Sequence, residues 1–409
     1  MKMSKASAAS ASRMMSHMPM HKGCRPAVGL MLAILGLLGA CAAAPLQSPA
    51  PVEARPAPRV VAIAPPQAPA EAPRGRTRAR WEAADWAELP GWDEDRPTAA
   101  WPALRNSCLR PAAGWAELCA RIVLDPPADD DAARRWLMQW LQPYRVEAAE
   151  GENTGLLTGY FEPTVSASRK PRAGFRVPLL APPPDLATRR PYWTRQQLDT
   201  VPAAVAAMRG LELAWIEDPL DLLLLQIQGS GRLLITEPDG RRQTIRVAFA
   251  GHNDQPYRSV GRWLVDRGEL PADGVSWPAI KAWAARNPWR VNELLWSNPR
   301  VVFFREEPLP DLSVGPRGAM GVPLVPGRSI AVDPTSVPFG TPVWLDTTEP
   351  LSSTPLRRLA IAHDTGGAIV GAVRADYFWG WGEAAEAQAG RMKQALRWWA
   401  LWPRGATVP

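Results

Sequence analysis

The stretch Ala362–Gly380, "AHDTGGAIVGAVRADYFWG", sets two carboxylates, Asp364 and Asp376, on either side of a glycine-rich turn. The residues leading into it, "RRLAIAHD" from Arg357 to Asp364, alternate into an apolar run and read as a strand that stops at the turn. Asp-Thr-Gly after an apolar strand also marks aspartic proteases. Those enzymes need two carboxylates sharing one proton, from two copies of the tripeptide or from a small chain that dimerises. In this chain of 409 residues the tripeptide occurs once, which argues against a protease and leaves the two aspartates to be explained by other chemistry.

Outward from that stretch, further short apolar runs are punctuated by Gly and Pro. "LLLLQIQ" (Leu222–Gln228), "RLLIT", "QTIRVAFAG", "VVFFR", "SIAVD" and "TPVWLD" all read as strands. Helical patterns lie at "DDAARRWLMQWLQPY" (Asp130–Tyr144) and "WPAIKAWAARNPWRVNELLWSNP" (Trp277–Pro299), and the closing "GEAAEAQAGRMKQALRWWALWP" reads as a helix running into tryptophans. The class is mainly β with some helices, a pattern of barrels or sandwiches.

The start of the chain has a different character. Five basic residues and no acidic one precede Cys41, and "PAVGLMLAILGLLGA" is an apolar run too short to span a bilayer comfortably, with the shape of a signal-peptide core. It ends in "LGAC", Leu38–Cys41, which resembles a bacterial lipoprotein signal. That resemblance makes residues 1–40 a signal peptide and Cys41 the lipidated first residue of the mature chain. Ala42 after the cysteine points to the outer membrane, with the body facing the periplasm, anchored and not spanning. Residues 41–80 are Pro- and Ala-rich and read as an extended tether.

Charge follows the same division. Of the formal +7, the five leading basic residues leave +2, and six arginines against two glutamates in residues 42–80 account for +4, so the remainder sits near −2. Basic character concentrated in a signal and tether is no sign of nucleic-acid binding. Two cysteines fall in the body, Cys108 and Cys119, and an oxidising periplasm favours a disulfide between them. With His252 and His363 as the only histidines there, no cluster has metal-ligand spacing, and neither a metal nor a cofactor is expected.

Six blocks, in order, resemble one family. "LLTGYFEP" (Leu156–Pro163), "LLQIQGSGR" (Leu224–Arg232), "GHNDQPYRSVGRWLVDRGE" (Gly251–Glu269) and "NPRVVFFR" (Asn298–Arg305) are followed by Met320–Asp346 and the opening stretch. Together they resemble the membrane-bound lytic murein transglycosylase A family, with its three-aspartate domain represented by Asp333, Asp364 and Asp376. The resemblance implies a double-psi β-barrel built from residues 81–163 and 307–409. A second β domain, residues 164–306, would be inserted to form the other wall of a glycan groove. It implies cleavage of peptidoglycan glycan strands between N-acetylmuramic acid and N-acetylglucosamine, leaving 1,6-anhydro ends. Cell-wall synthesis proteins are further candidate partners.

By motif position Asp376 matches the catalytic acid. An intramolecular hydroxyl needs no activated water, so one carboxyl group with a raised pKa suffices. Asp364 would orient it or hold a glycan hydroxyl, and a turn-capping role for Asp364 is equally compatible with "TGG". Asp333, before Pro334, reads as a turn residue. Thr158, Gly159 and Tyr160, with Gln228, Gly229 and Ser230, would line the groove, although "QGSG" alone is compatible with a tight turn after a buried strand. Glu162 reads as a solvated strand-end residue, and His363, on the opposite face from Asp364, as a structural or solvent-facing one. Among the 20 tryptophans, Trp379 and Trp381 are those placed to face substrate. The family's usual Lys is Val370 here, and one extra residue separates the second and third aspartates. The alternatives are a glycan-binding lipoprotein without turnover and a two-carboxylate muramidase.

Overall fold

The computed structural model describes residues 79–237 and 239–409. The proposed signal, Cys41 and nearly all of the tether lie outside them. No helix among the described residues is long and apolar enough to cross a membrane.

Two sheets organise the body. The larger runs, in spatial order, through Arg80–Ala83, Leu141–Glu147, Lys393–Pro403, Pro342–Thr348, Pro355–Asp364, Ser329–Val332, Arg374–Trp381 and Gly155–Glu162. Gly155–Glu162 also pairs back onto Lys393–Pro403, so the last six strands close into a ring. Two of its pairs are parallel, Ser329–Val332 with Pro355–Asp364 and Arg374–Trp381 with Gly155–Glu162. This is the double-psi β-barrel, with helices. The second sheet has six strands, all between Thr164 and Glu307.

Barrel strands are apolar on both faces because both are covered. Along Lys393–Pro403, Leu396, Trp398 and Ala400 fill the barrel interior, while Trp399, Leu401 and Trp402 pack under an outer helical layer built on Leu104, Ile122 and Leu137. That is why the closing stretch misleads as a sequence. Its helix is confined to Glu383–Ala389 and ends at Gly390, and the tryptophan-rich remainder is a central strand. The helix at Asp130 likewise stops at Trp140, and Leu141–Glu147 is a strand.

A second correction concerns "LLLLQIQ". Pro219–Gln228 is a helix, capped by the Asp218 side chain on the Leu220 N–H at 2.8 Å, with Pro219 in the first turn and left-handed Gly229 (φ 79°) closing it. Cap and stop residues are the normal ones. The helix lacks a clear amphipathic period because its leucines are covered on several faces, although Ile227 near its end is exposed. Leu225 packs under the second sheet, Leu223 into a helical cluster with Trp283, and Leu224 against Phe161 and Ala385 of the barrel side. A helix covered on several faces shows a nearly unbroken apolar run, as a buried strand does.

Where the barrel meets the second sheet, Glu162 overturns its reading as a solvated residue. It is 0% exposed and holds Arg232 (Nε–Oε2 2.8 Å) and Arg246 (Nε–Oε1 2.5 Å). The carbonyls of Leu312 and Val314 accept further guanidinium N–H groups. Two buried arginines on one carboxylate are tolerable because such hydrogen bonds offset their desolvation.

Candidate active site

Asp376 and Asp364 share a groove of about 910 Å³ with Tyr160, Gln228, Gly229 and Ser230. Their convergence follows from strand register. Asp376 lies opposite Ala331 in the antiparallel pair and opposite Thr158 in the parallel one. On the other side of Ser329–Val332, Ile330 pairs with Ala362 but Ala331 with Asp364, so His363 is an extra residue in its strand. In a regular strand Asp364 would share the face of Ala362, which fills the barrel interior. The bulge turns it onto the face of Ala331, Asp376 and Thr158. Bulges near sites commonly re-aim a side chain in this way.

His363 is thereby directed at the helical layer. Its Nε2 and Nδ1 each lie 2.9 Å from a hydroxyl, of Ser107 and Ser329. Burial pushes its pKa down to about 3, so the ring is neutral. It is structural; the solvent-facing alternative is wrong, since the residue is fully buried.

Each carboxylate has its own environment. Asp376 Oδ1 accepts a hydrogen bond from Thr158 Oγ1 at 2.6 Å, and Arg374 Nη2 donates to the same hydroxyl at 2.9 Å. Burial raises the Asp376 pKa to about 6, against the lowering effects of the Thr158 hydrogen bond and the Arg374 charge, and the Asp364 charge adds to the rise. Asp364 accepts from the Ala319 N–H at 2.8 Å, the Thr365 N–H at 2.9 Å and the Tyr160 hydroxyl at 3.1 Å. Its pKa is raised by burial, with these three donors opposing the rise. The Tyr160 hydroxyl is held well above its ordinary range by burial and by both aspartates, so it is a donor. Two carboxyls of this kind, one with its pKa near neutrality and one held by three donors, suit a proton donor and an orienting or hydrogen-bonding group.

Asp333 stays outside the groove. It accepts from the Thr335 N–H and hydroxyl and from the Gly371 N–H, at 3.0, 2.7 and 2.9 Å, tying the two turns together. Gly159 is not a groove surface: a Cβ there would meet Trp379 Nε1 at 2.8 Å and Ala389 Cα at 2.9 Å. Its smallness lets the Glu383–Ala389 helix close on the strand. Trp379 is engaged in that packing and in a hydrogen bond to the Met392 sulfur at 3.3 Å, and Trp381 stacks under Arg232 at 3.9 Å. Neither lines the groove, contrary to expectation. Gln228 accepts from the Phe161 N–H at 3.0 Å, which pins the end of its helix to the barrel. "QGSG" is a helix cap leading into a strand, not a turn after a strand. Val370 is 52% exposed at the tip of the turn.

Several groove residues carried no signal of their own. Arg300 and Arg305 sit in a block that the sequence singles out, without a role being attached to them; Arg317 and Arg110 lie outside the blocks. Cys108 and Cys119 are joined, with Cα atoms 5.2 Å apart. The segment they close carries Arg110, whose Nη1 donates to the Met320 carbonyl at 3.4 Å, and is preceded immediately by Ser107, which holds His363. No group of three or more potential metal ligands occurs among the described residues.

Comparison with known proteins gives a consistent set of similarities. Residues 156–305 match the MltA specific insert domain family, and residues 328–402 match the 3D domain family. The chain is 32% identical over 285 residues to membrane-bound lytic murein transglycosylase A of Vibrio cholerae, covering 65% of this chain and 73% of that one. Among solved structures it resembles the lytic transglycosylase LtgG of Burkholderia pseudomallei, at 44% identity and a TM-score of 0.57, over 80% of this chain and 98% of that one. It also resembles Escherichia coli MltA with bound chitohexaose, at 26% identity and a TM-score of 0.62, over 82% and 96%.

Proposed function

Since the chain belongs to the membrane-bound lytic murein transglycosylase A family and is a peptidoglycan lytic transglycosylase, we propose that Asp376 is the single acid and base of its reaction. In this reading the glycan bond cut is the β-1,4 linkage between N-acetylmuramic acid and N-acetylglucosamine. The observation that carries the assignment is the Asp376 carboxyl itself, in the groove with a pKa raised to about 6 and fixed by Thr158.

The protonated carboxyl gives its proton to the bridging oxygen as the C1–O bond breaks, and N-acetylglucosamine leaves as the new alcohol. The resulting carboxylate takes the proton of the muramic acid C6 hydroxyl as that oxygen closes onto C1. The proton count balances, no water is consumed, and the product is a 1,6-anhydro end. Positioning an intramolecular nucleophile supplies what a second carboxylate supplies in ordinary glycosidases. Asp364, held by Ala319, Thr365 and Tyr160, keeps the groove negative beside the developing positive charge at C1 and orients the sugar. Tyr160, Gln228, Gly229 and Ser230 serve as the glycan wall, and the chitohexaose complex of the Escherichia coli relative supports an oligosaccharide in this groove.

That the relatives are membrane-bound transglycosylases supports attachment of this chain too. We assign it to lipid on Cys41 in the outer membrane, with residues 41–80 as tether, residues 81–163 and 307–409 as the catalytic domain and residues 164–306 as the inserted wall. The test is mass spectrometry of muropeptides released from sacculi by the purified protein and by Asp376→Asn. Anhydro ends from the first and none from the second are expected. Reducing ends would point to a two-carboxylate hydrolase, and binding without release to a glycan-binding lipoprotein.

A further inference from the structure

Beside the glycan groove lies a second cavity of about 460 Å³, within the range of about 300–1,000 Å³ typical of small-ligand sites. Phe249 and His252 border both spaces, so the two adjoin. The character of the second is different. One wall is Pro182, Pro183 and Pro184, which offer no backbone N–H, and Leu186 and Ala187 continue it. A sugar, with a hydroxyl on nearly every carbon, would find too few partners there.

Charge enters at two points only. Arg190 and Asp254, both exposed, line the cavity, and no ion pair involves either among the described residues. The neighbouring Arg189 is committed instead, stacked on Trp193 at 3.5 Å. At the boundary, His252 Nδ1 accepts from the Asp254 N–H at 3.0 Å, which leaves Nε2 as the protonated nitrogen of a neutral ring. Asp254 adopts φ 57°, an unusual backbone for a residue other than glycine, so this corner is shaped at a cost.

We infer that this cavity is a subsite for the acidic peptide stem borne by the glycan, with Arg190 on a stem carboxylate, Asp254 on the amine of its diamino acid, and the proline wall against alanine methyl groups. A murein stem combines those features: small apolar side chains, carboxylates and one free amine. A cation and an anion exposed at the rim of a proline-walled cavity complement such a peptide and fit neither a plain sugar nor a plain anion. The inference rests on the peptidoglycan reading above and adds to it what distinguishes murein from a neutral chitin-like glycan.

The test is fluorescence anisotropy with a dye-labelled tetrapeptide of alanine, γ-linked glutamate, diamino acid and alanine, added to the purified full chain. Saturable binding is expected for the wild type. It should weaken at least fivefold in Arg190→Ala and in Ala187→Trp, which fills the cavity from an exposed position. Circular dichroism checks that both variants fold. Absence of saturable binding, or wild-type affinity in either variant, overturns the subsite. Cleavage of sacculi by the same wild-type preparation tests the parent reading separately: cleavage without peptide binding removes the subsite alone, and binding without cleavage removes the parent reading.

Discussion

Asp364 and Asp376 flank the same residue, Ala331, one through a parallel pairing and one through an antiparallel pairing. Two strand spacings put their Cα atoms about 10 Å apart on a common face, with only a methyl group between them. Their roles differ because their hydrogen-bond partners differ. Among the described residues Asp364 has three donors, and Asp376 has the Thr158 hydroxyl.

Loss of the two carboxyls should therefore be unequal. Asp376→Asn is expected to lower kcat by about 10³-fold or more, within the range for a lost general acid. Asp364→Asn should lower it by about 10–100-fold and still yield only anhydro products. Equal losses, or reducing ends from the wild type, would remove the single-carboxyl mechanism. The measurement is initial rate with product analysis on sacculi.

The same Asp376→Asn change should stabilise the fold at neutral pH. The folded pKa of about 6 lies above the ordinary value of 3.8, so the native state binds more protons between those values. Stability then falls as pH rises through that window and the penalty is complete above about 6. After discounting for partial exposure, about 1–2 kcal/mol should be recovered by the amide at pH 7.5, and nothing below pH 3.5. Thermal unfolding at both pH values checks it, and a gain that persists at pH 3.5 would mean that ionisation is not its source.

Parts of this arrangement were legible from residue order alone. Several barrel strands, the two aspartates and the stretches that carry Tyr160 and Gln228 stand out as blocks in the sequence. Other features were hidden for physical reasons. The helix at Pro219–Gln228 shows no period because three different clusters cover it. Glu162 looked solvated because its partners, Arg232 and Arg246, are about 70 and 84 residues away in sequence. The bulge at His363 that brings Asp364 onto the site face leaves no mark in composition, since one added residue looks like any other.

Glu162 itself offers a stability test away from the chemistry. Glu162→Gln leaves two buried guanidinium groups with carbonyl partners and no counter-charge. Breaking one side of a buried ion pair costs about 3–5 kcal/mol, and that loss is expected in denaturant unfolding. A loss below about 1 kcal/mol would mean that the cluster is hydrated and weakly coupled.

The pH profile gives the sharpest test of how Asp376 is tuned. A general acid with a pKa of about 6 is protonated below that value, so kcat/KM should fall as pH rises through it. Thr158 donates to the carboxylate and so holds the pKa down, and Arg374 reinforces that hydroxyl. In Thr158→Val the hydrogen bond is gone and the ionised form loses support. The descending limb should then move to higher pH, by about one unit if the hydrogen bond is worth about 1.4 kcal/mol. The rate below pH 5 should drop by about tenfold, because the carboxyl is no longer held in one orientation. A descending limb that stays in place, or moves to lower pH, would show that Thr158 does not set the Asp376 proton affinity.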